Sequence, residues 1–377
     1  MSAKTVLVLP AWYPTERNPY LGPFVRDHVR AAAGYGHRMV VLVDEGVRHD
    51  LSRPFSLAEE RDGDIRVFRL AYRVRTGLFG YVTAAFSVAR SLAREGTPVD
   101  VLHAHIHRMG WAAVVVGAAI RRPAVITENS SAWPRHLITK GELLRARMAF
   151  ARAALVCPVN SRLQQAIESY GVHGHFRIVP NTVDVRVFNP GEHRPTTGPR
   201  RLVNVSLQVE VKGLDVLLRA FSQMAARDSE TTLELIGEGP LTPNLKRLAG
   251  ELGLNGRVRF SGLADPLEIA EALRGSDAYV LSSLTENMPL AVLEALCCGL
   301  PVAATDVGGV PEAVGSDGEL APPGDVDGLT AAMTAVLDGY ERFDREDIAR
   351  RAAARWSFEA VGGVWDEIYR SIRLSGT

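Results

Sequence analysis

Cysteine is scarce: three in 377 residues, two of them the adjacent Cys297 and Cys298. That excludes a disulfide framework and fits a reducing compartment, so a cytoplasmic location is expected. Net charge is missing too. The 43 Lys and Arg balance the 43 Asp and Glu, and no bulk field favours nucleic acid as a partner. No apolar run approaches the about 18 residues of a membrane span. The start, MSAKTVLVLPAWYP, is too short in its apolar part for a signal segment, and AAVVVGAAI reads as a buried helix. The first strand–helix–strand pattern has no GxGxxG, which argues against a nicotinamide dehydrogenase, and no GxxxxGK[ST] frame occurs. Internal repeats of about 20 to 50 residues are absent.

What remains is 46% hydrophobic and 23% charged, the balance of a soluble chain with two or three domains. Strand and helix patterns alternate. Residues 5–9 (TVLVL) and 38–43 (RMVVLV) read as buried strands flanking a helix that begins at Phe24 and stops at Gly34 or Gly36. Residues 44–75 show no regular pattern. Residues 99–102 form a strand running into His103, His105 and His107, which strict alternation places on one face. Packing histidines are the default there, and a metal site lacks further ligands at suitable spacing. The strand AVITE leads to Asn129 and Ser130, where α/β ligands bind or helices are capped. Residues 135–152 are basic and partly amphipathic. A solvated helix is the plain reading, and weak peripheral contact with an anionic membrane is the alternative. Ser161 fits an N-cap. Residues 189–200, rich in Pro, Gly and Thr, form the best boundary.

Beyond that boundary, Leu214, Leu217, Leu218 and Phe221 share one helix face. Lys212-Gly213 precedes them, a compact charge beside flexible backbone that suits phosphate; a solvated lysine fits equally. Gly237, Gly239 and Gly262 sit at βα turns. Residues 281–312 are the most informative stretch: LSSLTENMPLAVLEALCCGLPVAATDVGGVPE. Pro289 suits a first helical turn, Gly299 a stop, and the unit is strand, loop, helix, strand. The helix N-terminus offers unpaired N–H groups to a diphosphate. Glu286 stands at its mouth and Glu294 eight positions on. One carboxylate can meet a sugar and the other a ribose. A solvated glutamate and a capping glutamate fit the spacing as well.

Glu-x7-Glu followed by CGLPV and DVGGVPE resembles the donor-site signature of retaining glycosyltransferases of family 4. The resemblance covers nearly the whole chain and is most specific in residues 203–312. It implies the GT-B fold: two Rossmann-like α/β domains facing a cleft, residues 1–188 for the acceptor and 201–355 for the nucleotide-sugar. Residues 356–377 would form a helix crossing back to the first domain. The donor set it implies is Gly22, Lys212, Gly262, Leu263, Glu286, Asn287, Met288, Pro289, Leu290 and Glu294. Glu286, His105 and Lys212 would carry catalysis, and Glu128, Asn129 and Ser130 would line the acceptor side. No metal and no other cofactor is implied. The implied partners are a nucleotide-sugar donor (UDP or GDP) and a small, lipid-linked or glycan acceptor. Three positions depart from the family pattern. Asn287-Met288-Pro289 replaces Gly-Phe-Gly, Asn129 replaces a histidine, and Leu207 replaces the arginine that joins the lysine on the diphosphate. A GT-B epimerase or phosphorylase, or a non-catalytic nucleotide-sugar binding protein, shares much of this pattern.

Overall fold

The computed structural model describes residues 3–15, 21–48, 51–52, 55–73, 77–191, 198–228 and 230–373. The chain forms two compact units. Unit 1 is Met1–Thr182 with Phe358–Thr377, and unit 2 is Val183–Ser357.

Unit 1 is built on strands β1 (Thr5–Pro10), β2 (Arg38–Val47), β3 (Phe55–Asp62), β4 (Ile65–Tyr72), β5 (Val101–His105), β6 (Ala124–Glu128) and β7 (Leu155–Pro158). They make one sheet in the order β3-β4-β2-β1-β5-β6-β7. All neighbours are parallel except the β3–β4 hairpin. The central strands β1, β5 and β6 are buried at every position, as a sheet covered on both faces requires. Helices α1 (Pro23–Ala33), α2 (Gly77–Arg94), α3 (His107–Ile120), α4 (Lys140–Phe150) and α5 (Ser161–Ser169) connect them. The hairpin falls in the stretch that shows no pattern in sequence. Asp62 pairs with Ile65 across Gly63-Asp64, and Gly63 has φ 61°, the positive φ of a two-residue hairpin turn. β3 is polar and exposed along most of its length, so its strand has no apolar alternation to read.

Unit 2 comprises β8 (Arg201–Val205), β9 (Thr232–Ile236), β10 (Val258–Gly262), β11 (Ala278–Leu281), β12 (Val302–Thr305) and β13 (Gly318–Ala321). Its six-stranded sheet, β10-β9-β8-β11-β12-β13, is parallel throughout. Around it lie α6 (Leu214–Ala225), α7 (Thr242–Glu251), α8 (Pro266–Arg274), α9 (Leu290–Cys297), α10 (Val310–Val314), α11 (Val326–Asp338) and α12 (Arg345–Trp356). Leu214, Leu217, Leu218 and Phe221 are all buried, as their spacing on α6 predicts.

The division falls at Thr182/Val183, earlier than the Pro- and Gly-rich stretch suggests. Residues 183–191 belong to unit 2 because Arg274 ties them down. Its guanidinium donates to the carbonyls of Val187 and Asn189. Residues 192–197 of the expected linker lie outside the described residues. The N-cap of α5 is Asn160, whose side chain accepts from Leu163 N–H, and Ser161 is already helical.

The last helix, α13 (Phe358–Ser371), belongs to unit 1 and packs on α1. Val361, Trp365, Ile368 and Tyr369 recur at helical spacing and join the same buried cluster as β1, β2 and α1. Gly362 permits the close approach, since a Cβ there would stand 2.4 Å from the Ala31 carbonyl oxygen. Trp365 Nε1 donates to His28 Nδ1 at 3.0 Å. Tyr369 and Thr127 hydroxyls hold the two ring nitrogens of the buried His103, at 2.7 and 2.8 Å.

Candidate active site

In the unit 2 sheet the connections leave β8 and β11 in opposite directions, β8 toward β9 and β11 toward β12. A crevice at the carboxyl ends of such a pair is where open α/β sheets bind ligands. Two loops meet there, residues 206–213 after β8 and 282–289 after β11. Gly213 (φ 55°) ends a 3-10 turn, and a Cβ on it would lie 2.4 Å from the Ser282 carbonyl. Ser282 Oγ donates to the Lys212 carbonyl and Leu284 N–H to the Val211 carbonyl, both at 2.8 Å. Thus the second loop fixes the first.

This scaffold brings Lys212 and Glu286, 74 positions apart in sequence, to 2.5 Å between Nζ and Oε1. Ser283 Oγ donates to the same oxygen at 2.8 Å. Both side chains are mostly buried, 23% and 12% exposed. The loop after β12 supports Glu286 from behind. Gly309 N–H donates to the Asn287 carbonyl, and Gly308 (φ 51°) has no room for a Cβ, which would stand 2.1 Å from the Glu286 carbonyl oxygen. The DVGG run therefore packs against the glutamate loop.

α9 starts at Leu290, one residue later than expected. Pro289 is its N-cap with ψ 119°, an extended conformation. Met288 is buried, so it offers a ligand only backbone. Glu294 is half-buried on α9. Burial first, and then the charges of Glu286 and Glu294, hold the Tyr279 hydroxyl above its ordinary range. Both carboxylates thus act on one buried phenol. Leu207 is 58% exposed and adds no charge. Its neighbour Gln208 is buried and donates to the Gly237 carbonyl at 2.7 Å.

Gly237 and Gly239 have a packing reason as well. A Cβ on Gly237 would lie 2.1 Å from the Ser206 carbonyl, and one on Gly239 2.4 Å from that of Gln208. Gly237 N–H donates to the Gly262 carbonyl at 2.6 Å. Leu263 beyond it is exposed. The donor-set residues from Lys212 to Glu294 all lie in unit 2. Gly22, His105, Glu128, Asn129 and Ser130 lie in unit 1.

In unit 1 the histidines do not share one face. β5 ends at His105, Ile106 takes φ 67°, and His107 is the first residue of α3. His105 is 1% exposed and stacks on His103 with ring centroids 4.6 Å apart. Burial, followed by His103 and His28, pushes its pKa well below the ordinary value. His105 is therefore neutral. A neutral imidazole can hydrogen-bond a hydroxyl but carries no positive charge. Neither ring nitrogen has a partner among the described residues.

Glu128 is fully buried and already committed. Its Oε2 accepts from His107 N–H (2.7 Å) and lies 2.9 Å from His107 Nδ1, while Oε1 accepts from Ser130 N–H (2.8 Å). Both carboxylate oxygens are thus engaged within unit 1, by His107 and by Ser130 N–H. Asn129 and Ser130 cap no helix, since a turn follows and the next helix is capped by Thr139. Gly22 takes φ 66° before Pro23, and a Cβ would lie 2.8 Å from the backbone of Trp12. The Asn18-Pro19 part of that loop lies outside the described residues.

Comparison with known proteins supports the motif. Residues 22–187 match the model "Glycosyltransferase Family 4" and residues 199–339 "Glycosyl transferases group 1". The chain is 28% identical over 325 residues to D-inositol 3-phosphate glycosyltransferase of Corynebacterium jeikeium, covering 78% of each. It is 27% identical to a glycogen synthase of Mycobacterium tuberculosis, over 96% of this chain and 94% of that one. The fold resembles that of Anabaena HepE, solved in complex with UDP: TM-score 0.76, 19% identity, covering 98% of this chain and 100% of the other. The two Rossmann-like units, the Glu-x7-Glu stretch and these matches agree: the chain belongs to the family 4 glycosyltransferases of GT-B fold.

Proposed function

We propose that this glycosyltransferase moves a hexosyl group from a nucleoside-diphosphate sugar to an acceptor hydroxyl, with retention of configuration and without a metal. The Lys212–Glu286 pair at the unit 2 switch point carries the reading. Lys212 and the N-terminus of α9 stabilise the departing diphosphate, the charge a metal would otherwise meet. Glu286 orients the sugar, and Glu294 accepts from the ribose hydroxyls. Backbone at Gly262 and Leu263 faces the base. The bond from the anomeric carbon to the diphosphate oxygen breaks, and the bond to the acceptor oxygen forms on the same face. The acceptor proton passes to the leaving phosphate oxygen. UDP is the favoured nucleotide, since the HepE fold neighbour was solved with UDP and UDP-glucose.

The test is calorimetric titration with UDP, GDP, ADP and TDP, then with the matching sugar nucleotides. One nucleotide should bind preferentially, and the product linkage should keep the donor's anomeric configuration by NMR, with turnover unchanged by EDTA. Absence of binding by all four, an inverted product, or a glycosyl ester trapped on Glu286 would overturn the respective part.

A further inference from the structure

β11 ends at Leu281, and the two residues that follow it are fully buried serines. Their hydroxyls part. Ser282 Oγ donates to the Lys212 carbonyl and Ser283 Oγ to Glu286 Oε1, both at 2.8 Å. Most side-chain hydrogen bonds go to backbone or water; that of Ser283 goes to a carboxylate. Ser283 is itself held, because Thr305 Oγ1, buried at the end of β12, donates to its carbonyl at 2.7 Å. The two donors on Glu286 Oε1 differ in kind. Lys212 carries three hydrogens on a flexible stem, and a diphosphate oxygen satisfies it as well as a carboxylate does. Ser283 carries one hydrogen on a short buried side chain and cannot follow a ligand. Both contacts fall on Oε1, so Oε2 is left to accept from a sugar hydroxyl.

We propose that Ser283 is a positioning residue for the transfer: when a donor diphosphate takes Lys212, the Ser283 hydroxyl keeps Glu286 Oε1 in place and Oε2 turned to the sugar. Ser282 is its counterpart on the cation, tying the Lys212 backbone to the same loop. The inference rests on the transferase reading above, since it needs Glu286 to meet the sugar and Lys212 the diphosphate. Neither serine touches the donor; each acts through its partner. With Ser283 gone, Lys212 is the donor left on Oε1, and a carboxylate that must release Lys212 to a diphosphate then has nothing to hold its place. The adjacent serines therefore carry different signatures. Loss of the Ser283 hydroxyl is felt by the sugar alone. Loss of the Ser282 hydroxyl loosens the lysine and is felt by the diphosphate, whether or not a sugar is attached.

Calorimetry on the full chain with UDP and UDP-glucose separates the two roles; GDP and GDP-mannose replace them if the chain selects guanine. Ser283→Ala should keep the wild-type affinity for UDP and bind UDP-glucose about tenfold more weakly, the scale of one hydrogen bond to a charged group. Ser282→Ala should weaken both ligands by the same factor. A loop that had merely lost its packing would weaken both ligands in both variants. Urea unfolding gives a readout without ligand. Ser283→Ala and Glu286→Ala remove the same contact, so the double variant should lose less stability than the sum of the single losses. If Ser283→Ala does not fold, Thr305→Val, which keeps the shape and frees the Ser283 carbonyl, should show the same split between UDP and UDP-glucose. Additive stability losses, an equal fall in UDP and UDP-glucose affinity in Ser283→Ala, or an unchanged UDP-glucose affinity there would overturn the proposal. A chain that binds no nucleotide yet shows the Ser283–Glu286 coupling would instead overturn the transferase reading and leave the positioning of Glu286 standing.

Discussion

Lys212 Nζ lies 2.5 Å from Glu286 Oε1, so the cation assigned to the diphosphate is already neutralised by the carboxylate assigned to the sugar. A donor must therefore exchange one anion for another at Lys212. Glu286→Ala should abolish transfer while nucleotide diphosphate binds as well as in wild type or more tightly, because Lys212 is released. Lys212→Ala should weaken nucleotide binding about tenfold to a hundredfold, the value of one charge-assisted hydrogen bond. Calorimetry on the two variants checks both signs; weaker UDP binding in Glu286→Ala would break the assignment.

Glu294 lies on α9 rather than in the loop. Glu294→Gln keeps the shape and loses the charge. The expected outcome is donor binding weaker by about tenfold, from loss of charge assistance to the ribose hydrogen bonds. The anomeric selectivity of the product should not change. Equal loss of UDP affinity in Glu286→Ala and Glu294→Gln would end the division of roles between them.

Much of the proposed donor site is legible in the sequence because it is local. Residues 281–312 hold a strand, a loop, a helix and a second strand in order, and the helical and turn signals there agree. The packing role of Gly308 is not legible, since its reason is the Glu286 carbonyl of another loop. Unit 1 is read less well. The β3–β4 hairpin hides because β3 is polar and exposed, although its Gly63-Asp64 turn signal is present. His107 hides because the break in alternation sits at Ile106, a β-branched residue with φ 67° that no local rule predicts. Glu128 looks available in sequence, and its burial comes from contacts with α3.

Gly308 tests whether the glycine run shapes the site by packing. Its φ is 51°, and an added Cβ meets backbone, not a movable side chain. Gly308→Ala should destabilise by about 1–3 kcal/mol and displace the Glu286 loop. Urea unfolding should show a lower midpoint at unchanged slope. Transfer should fall further than the loss of folded protein explains. A variant of wild-type stability and activity would show that the loop tolerates the side chain.

Acid sensitivity should arise in unit 1, where α13 covers α1 and β5. Burial lowers the pKa of His28 to about 4 and that of His103 to about 3, with His28 adding to the effect on His103. An unfolded histidine titrates near pH 6.5. Between that value and the folded pKa the unfolded chain binds more protons, so stability rises with pH across the window and is lost as pH falls through it. At about 1.4 kcal/mol per pH unit, His28 alone contributes about 3 kcal/mol between pH 6.5 and 4. Unfolding free energy measured from pH 7.5 to 4 should decline steeply. His28→Gln should flatten that decline while keeping a partner for Trp365 Nε1, which now donates to His28 Nδ1. An unchanged slope in His28→Gln would place the acid-sensitive group elsewhere in the unit.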